Sequence, residues 1–361
     1  MMKVSVLITT YNLEKYIAKT LDTVLGQKTD FDYEIIVGDD GSVDGTRDIV
    51  GEYISRFGSK ISMYVMPRDN IDAKQINLVE RSSANRLNIL KKAKGEYICF
   101  LDGDDFYTDS HRLSRMVAIL DDPANSDCIM CAHNLAMYYG QDVVFDAPIE
   151  GARLSRARKS HKWSVNDYWP LEFIQANGMM FRNIYKDKLS YKASLEQMFE
   201  NVDGLKANFD DNNITYSFLA QGKMYYIPDV MGAYRQVEGS SWNSNDDLKK
   251  AASNMIGASI EGLIDNYLAI SNEQLSEARH YKDYAVIMTR KTELTKQACQ
   301  PFYQTALSCN LAFALDVYGL NEADDQSMMD WKLFESLLKL SSHNYKKYKL
   351  KRAFCKLLKS Y

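Results

Sequence analysis

The stretch EYICFLDGDD, residues 96–105, decides the fold of this chain. Its apolar residues run without interruption into Asp102, Asp104 and Asp105. A continuous apolar run of this length is typical of a strand that is buried on both faces of a parallel sheet. Because ligands bind outside the carboxyl ends of parallel strands, we expect the three acids to lie at a functional edge.

Strand and helix patterns alternate through the first hundred residues. KVSVLITTY (3–11) and EIIVGDD (34–40) are apolar runs, and the segments 14–26 and 46–57 have helical spacing, with Asp44 as a candidate cap of the second helix. This alternation predicts an α/β fold with a mostly parallel, mixed sheet flanked by helices.

The pattern changes after about residue 127. CIMCAHNLAMYY (128–139), NGMMFR (177–182) and KMYYIP (223–228) read as more widely spaced strands, and residues 151–162 read as a basic loop. From residue 239 onward, strand patterns are absent from the sequence. We therefore expect a helical carboxyl-terminal region over 239–361.

The composition is that of a globular protein. The chain has 361 residues, 46% of them hydrophobic and 25% charged, which is enough for two domains of roughly 100–200 residues each. The sequence holds neither the roughly 18 consecutive apolar residues of a membrane helix nor a signal-peptide pattern. These features predict a cytoplasmic protein. The six cysteines are too sparse for a disulfide framework, and Cys128 and Cys131 are expected to be buried thiols.

The carboxyl-terminal segment 345–361 is strongly basic. It carries seven lysines or arginines and no acid, within a chain whose net charge is −4. Its apolar residues fall on one helical stripe, which predicts peripheral contact with an anionic membrane on its inner face rather than nucleic-acid binding. The alternative is that this stripe packs on the preceding helices.

The sequence lacks the characteristic motifs of several enzyme classes. GxGxxG, GxxxxGK[ST] and GxSxG are absent from the sequence, which disfavours dinucleotide dehydrogenases, P-loop kinases and α/β-hydrolases. A sugar-phosphate nucleotidyltransferase would share the sheet, but it should have a Gly-rich loop where this chain has TTYNLEKY (9–16).

The acids at the two strand ends point to a cation. Asp39 and Asp40 end one strand, and the acids of DGDD end another, so four or five carboxylates should gather at one edge. Such a group repels itself unless it is solvated or holds a cation. Oxygen ligands without His or Cys favour Mg²⁺ or Mn²⁺ over zinc.

Three motifs carry a resemblance to a known family. VSVLITTYN (4–12), VGDDGSVDGT (37–46) and KAKGEYICFLDGDDFYTD (92–109) resemble, in this order, the donor-binding half of the family 2 inverting glycosyltransferases, which have the GT-A fold. A weaker similarity continues to about residue 242.

The resemblance implies a metal-dependent, inverting glycosyltransferase of the hexosyltransferase type, as in bacterial surface-polysaccharide synthesis. It would move a sugar from a nucleotide-sugar, expected to be a UDP-sugar, to a hydroxyl of a saccharide or lipid-linked acceptor. It also implies a domain over 1–238, with a donor-binding half at 1–110 and an acceptor half at 111–238. The alternatives are a non-catalytic nucleotide-sugar-binding module and a nucleotidyltransferase.

The resemblance also assigns donor-side residues. Thr10 and Tyr11 match positions that border the nucleotide, and Asp39 matches the acid that accepts a hydrogen bond from uracil, with Asp40 beside it. Asp102 matches the acid over the ribose and diphosphate. Asp104 matches the metal ligand, and Mn²⁺ or Mg²⁺ is the expected cofactor.

We expect the catalytic base of the transfer reaction within the segment FDDNN. Single displacement with inversion requires an acid that takes the proton of the acceptor hydroxyl. Asp211 stands eleven residues before Gly222, the spacing in the family's base motif, and Asp210 is the runner-up. The alternative is that this segment caps a helix.

Four further residues complete the candidates. Arg81 and Arg86 lie before the DGDD strand and are candidates to assist donor binding, although basic residues are usually solvated. Trp169 and Trp242 are candidates for the acceptor site or a lid, with core packing as the alternative.

Overall fold

The computed structural model describes residues 2–68, 78–139, 159–165, 175–236 and 247–270. These residues form an α/β fold with a mixed sheet flanked by helices, as predicted.

The first half of the sheet is parallel. Its elements are β1 (Val4–Thr10), α1 (Ile17–Leu25), β2 (Tyr33–Asp39), α2 (Thr46–Phe57), β3 (Ile61–Val65), α3 (Leu78–Leu90) and β4 (Tyr97–Asp102). The strands lie in the order β3-β2-β1-β4, with the parallel pairs β2–β3, β1–β2 and β1–β4. Thr10 pairs with Asp39, and Thr9 pairs with Asp102, so three strands end together at one edge.

The second half is mixed. Its elements are β5 (Phe106–Tyr107), α4 (Arg112–Asp121), β6 (Cys128–Tyr138), β7 (His161–Trp163), β8 (Met179–Arg182), α5 (Leu195–Asn201), α6 (Asp211–Leu219) and β9 (Lys223–Arg235). Beyond β4 the strand order continues β8-β6-β9-β5, with β6 parallel to β9 and the pairs β4–β8, β6–β8 and β5–β9 antiparallel.

Two details of the predicted elements need correction. The basic loop predicted for 151–162 ends in β7, because His161–Trp163 pairs antiparallel with β9. Helix α2 begins at Thr46 with Gly45 in the cap position. Asp44 still satisfies this helix end, since its carboxylate accepts hydrogen bonds from the backbone N–H and hydroxyl of Thr46.

Apolar side chains of β1, β2 and β4 form the centre of the core. Val6, Ile35 and Cys99 are fully buried there, with the helices packed over the sheet faces. Cys128 and Cys131 are buried in β6 as free thiols. Burial on both faces explains why these strands read as continuous apolar runs.

The chain divides into two compact units. The first comprises Met1–Phe199 and Leu205–Ser240, and the described part of the second comprises Glu200–Gly204 and 247–270. Helix α7 (Asp247–Leu268) belongs to the second unit. In the described part of the chain, the helices are too short or too polar to cross a bilayer.

Gly95 makes a close backbone contact before β4 that provides a test of the fold. A Cβ at this position would lie 2.4 Å from the backbone nitrogen of Ser5 and 2.6 Å from the carbonyl carbon of Val4. Gly95→Ala should therefore lower the free energy of unfolding by about 1–3 kcal/mol, as measured by urea denaturation. Gly51→Ala is the matched control, because Gly51 has open space around it in α2. Equal stability of the two variants would contradict this packing.

Candidate active site

The ends of β1, β2 and β4 bring the predicted donor-side residues to one edge. Thr10 and Asp39 face each other in the β1–β2 register, and Asp102 ends β4 on the other side of β1. Thr10 is buried, and its hydroxyl oxygen is without a hydrogen-bond partner among the described residues. A buried polar atom of this kind is usually satisfied by a partner.

Asp39 orders the turn that follows β2. One carboxylate oxygen accepts hydrogen bonds from the backbone N–H groups of Gly41, at 3.1 Å, and Ser42, at 2.9 Å. The other oxygen accepts a bond from the Ser42 hydroxyl. The residue is fully buried. These contacts give Asp39 a structural role, and its contact with a uracil ring stays a prediction.

Asp40 lies between two arginines. Its carboxylate is 2.5 Å from Arg68 Nη2 and 2.9 Å from Arg81 Nη2, and all three residues are largely buried. The Arg81 guanidinium carbon also lies 4.8 Å from the ring centre of Tyr11, which is 42% exposed. One carboxylate and two guanidinium groups leave a net positive charge beside an exposed aromatic ring. This arrangement suits an anionic ligand that carries a planar nucleobase.

Arg86 bridges two acids that are far apart in the sequence. Its Nη2 atom is 3.2 Å from Asp102 Oδ1 and 3.4 Å from Asp211 Oδ1. Arg86 and Arg81 are both buried, so the alternative of solvated surface arginines is wrong for each. The predicted donor acid and the predicted base thus share one guanidinium nitrogen.

Asp210 and Asp211 differ in surroundings. Asp210 caps α6 through a 3.0 Å hydrogen bond from the backbone N–H of Asn213. Burial raises the pKa of Asp211 to about 7, with Arg86 opposing the shift and Asp102 adding to it. A carboxylate with a pKa near neutrality suits proton transfer, so the geometry supports Asp211 as the base. This assignment stays a prediction.

Asp104 and Asp105 form an acidic pair next to Asp102. Burial raises the pKa of Asp104 to about 7, and Asp102 adds to this shift. The pKa of Asp105 is also raised, by burial and then by the two neighbouring acids. Asp105 accepts a hydrogen bond from the backbone N–H of Arg235. A bound cation would relieve the charge repulsion among these three acids.

Two residues that the sequence analysis did not identify complete the site. Gln175 precedes the short 3-10 turn Ala176–Gly178 before β8, and Asn177 lies within it. Asn177 Nδ2 contacts Asp105, its Oδ1 atom accepts a bond from the backbone N–H of Asp102, and Gln175 Nε2 lies 3.4 Å from Asp102 Oδ2. The similarity of NGMMFR to the family's acceptor side was the available signal. It did not indicate which side chains face the acids.

Some predicted residues lie outside the described residues. These are Trp169, Trp242 and the basic segment 345–361. Their roles at the acceptor site, in a lid or at a membrane stay predictions.

Residues 5–187 match the profile of the family described as Glycosyl transferase family 2. The chain belongs to this family. The match covers the three predicted motifs except for Val4 and confirms the resemblance on which the donor-side assignments rest.

Bacterial relatives support the same family. An uncharacterized protein of Mycobacterium tuberculosis is 29% identical over 240 residues, which are 66% of this chain and 60% of that protein. The poly(ribitol-phosphate) beta-N-acetylglucosaminyltransferase TarS of Staphylococcus aureus is 35% identical over 126 residues, or 34% of this chain and 19% of TarS. The matched region thus spans about 60% of the length of the mycobacterial relatives.

Solved structures support the fold. The crystal structure of S. aureus TarS 1-349 in complex with UDP-GlcNAc has a TM-score of 0.52 and 19% identity, covering 84% of this chain and 82% of that one. This similarity shows a shared fold only, because the identity is low.

Proposed function

We propose that this family 2 glycosyltransferase is a metal-dependent, inverting enzyme that moves a sugar from a UDP-sugar to a hydroxyl of a saccharide or lipid-linked acceptor. The observation that carries the proposal is the bridge from Asp102 through Arg86 to Asp211. It places a candidate base beside the acids at the end of β4. An inverting displacement needs this juxtaposition, because the base and the leaving group act on one sugar carbon from opposite faces.

A UDP-sugar is the donor that the site and the relatives favour. The positive cluster of Arg68, Arg81 and Asp40 lies next to exposed Tyr11, where a diphosphate and a planar base would find charge and stacking partners. TarS was crystallised with UDP-GlcNAc. The acceptor is proposed from the family resemblance alone.

The residues at the end of β4 fit Mn²⁺ or Mg²⁺. Asp102 and Asp104 offer oxygen ligands, and burial, with repulsion from Asp102 added to it, raises the pKa of Asp104. Among the described residues, groups of three or more His, Cys, Asp or Glu suited to hold a metal alone are absent. Asp104 and Asp102 would therefore hold the ion together with donor oxygens and water. When bound, the ion supplies charge stabilisation to the diphosphate leaving group.

The side chains of the site would carry out proton transfer, orientation of the acids and donor binding. Asp211 would take the proton of the acceptor hydroxyl, and Arg86 would hold the Asp211 carboxylate in place. Asn177 would keep Asp102 and Asp105 oriented through its amide. The cluster around Asp40 would bind the donor.

The raised pKa of Asp211 predicts the pH dependence of transfer. The base acts only when it is deprotonated, so activity should be present above about pH 7 and should fall about tenfold per pH unit below it. Measuring kcat/KM at saturating Mn²⁺ from about pH 5.5 to 8 tests this expectation. An activity that stays constant across this range would rule out Asp211 as the titrating base.

A donor screen tests the proposed function directly. Thermal unfolding is measured with UDP-, GDP- and dTDP-sugars in the presence of Mn²⁺, because a ligand that binds only the native state raises the melting temperature. Release of UDP with an acceptor panel then separates an enzyme from a non-catalytic binding module. A donor that binds without turnover on a broad acceptor panel would favour the module. Stabilisation by a GDP- or dTDP-sugar alone would exclude the proposed UDP donor.

A further inference from the structure

We propose that Gln175 is a specificity-determining residue that accepts a hydrogen bond from the sugar being transferred. The inference rests on the proposed glycosyl transfer and adds to it the group that recognises the sugar.

Gln175 lies beside the acids of the candidate reaction centre. Its Nε2 atom is 3.4 Å from Asp102 Oδ2, and Asp102 in turn shares Arg86 Nη2 with Asp211. The residue is 4% exposed. Because an ionised carboxylate only accepts hydrogen bonds, Asp102 fixes the orientation of this amide with the nitrogen toward it. The amide oxygen is therefore left for another partner.

This oxygen lacks a partner in the part of the chain that the structure describes. Gln175 Oε1 is buried and makes no hydrogen bond there. A buried acceptor without a donor is destabilising and uncommon in native proteins. It is therefore suited to a donor group that arrives with a ligand.

The reaction geometry identifies that ligand as the transferred sugar. In a single displacement, the acceptor hydroxyl and the diphosphate lie on opposite faces of one sugar carbon, so the sugar lies between the base and the acids on the leaving-group side. Gln175 contacts Asp102, and Asp102 and Asp211 meet at the same Arg86 nitrogen. Its amide should therefore lie alongside the sugar ring, whose hydroxyl or acetamido N–H groups are the available donors.

Asn177 differs from Gln175 in this respect. Its amide oxygen already accepts a bond from the backbone N–H of Asp102, and its nitrogen contacts Asp105. Asn177 orients the acids, whereas Gln175 keeps an acceptor for the substrate.

The test compares UDP with UDP-sugars in the wild type and in Gln175→Met. Binding of UDP, UDP-glucose and UDP-GlcNAc is measured by calorimetry with Mn²⁺, followed by deoxyfluoro analogues of the better-bound sugar, in which one hydroxyl donor is lost. Gln175→Met should leave the affinity for UDP within about twofold and weaken the UDP-sugar by about tenfold or more. One analogue should bind weakly to the wild type and lose nothing further in Gln175→Met. We call the difference in affinity between the UDP-sugar and this analogue the discrimination of the site. A merely structural role of Gln175 would not remove this discrimination.

Two further variants serve as controls. Gln27→Met removes another buried glutamine, whose amide binds backbone groups of Asp109 and Leu113, and it should keep the discrimination. Gln175→Asn retains an amide but shortens the side chain by one methylene, so it should lose the discrimination even where Gln175→Met folds poorly.

The outcomes distinguish this inference from the proposed function. Full discrimination among analogues in both Gln175 variants would overturn the inference alone. A wild type that binds UDP but gains no affinity from the sugar of any UDP-sugar would also overturn it, with the nucleotide site intact. If the wild type binds neither UDP nor a UDP-sugar, the proposed donor class is wrong, and the inference is wrong with it.

Discussion

Replacing Asp211 with asparagine should lower sugar transfer by about 10²- to 10⁴-fold and leave donor affinity nearly unchanged. Asparagine has similar size and can keep its position at the start of α6, but it cannot accept the proton of the acceptor hydroxyl. Steady-state kinetics with the donor identified in the screen would measure the loss in kcat. Donor binding measured separately would show that the nucleotide site is intact.

Asp210→Asn is the matched comparison. Asp210 caps α6, and asparagine caps helices about as well as aspartate, so this variant should retain most of the transfer activity. A larger loss in Asp210→Asn than in Asp211→Asn would assign the base to Asp210 instead. A proton NMR time course that shows retained configuration at the anomeric carbon would remove the single-displacement mechanism itself.

The sequence was sufficient to predict the parallel half of the sheet and its acidic edge. Strands β1, β2 and β4 are buried on both faces, so each has a local apolar run that ends at a polar residue. The register that aligns Thr10 with Asp39 follows from parallel pairing of these runs. The location of these acids therefore depends on local pattern and a general rule for α/β sheets.

The short strands could not be predicted in the same way. β5 has two residues and β7 has three, too few to show an alternating pattern. Both exist because they pair with β9. Their formation depends on tertiary contacts that local sequence does not encode.

The roles of the basic and amide residues also depend on distant contacts. Arg86 meets Asp211 across 125 positions of the chain, and Gln175 meets Asp102 across 73. Arg68 has no sequence signal and is fixed by Asp40. Whether a polar residue is solvated or buried with a partner depends on the folded chain, so sequence spacing alone left the roles of Arg81 and Arg86 open.

Asp104→Ala should reduce transfer by more than about a hundredfold, because a catalytic metal typically supplies several kcal/mol of charge stabilisation. Asp104 is the family-matched metal ligand, and burial with the neighbouring Asp102 raises its pKa to about 7. Removing this carboxylate also removes its repulsion with Asp102. We therefore expect the free energy of unfolding without metal to stay the same or rise, while the stabilisation by Mn²⁺ and donor together is lost.

The measurement combines a Mn²⁺ titration of activity with thermal unfolding, for the wild type and for Asp104→Ala. Asp32→Ala is the control, because Asp32 is an exposed acid just before β2, at the opposite edge of the sheet from Asp104. This variant should keep the metal dependence of the wild type. Full wild-type activity in excess chelator would show that transfer does not need a divalent ion. In that case the acids at the end of β4 would act on the donor directly, and Asp104 would have to be reassigned from metal ligand to a residue that contacts the sugar nucleotide.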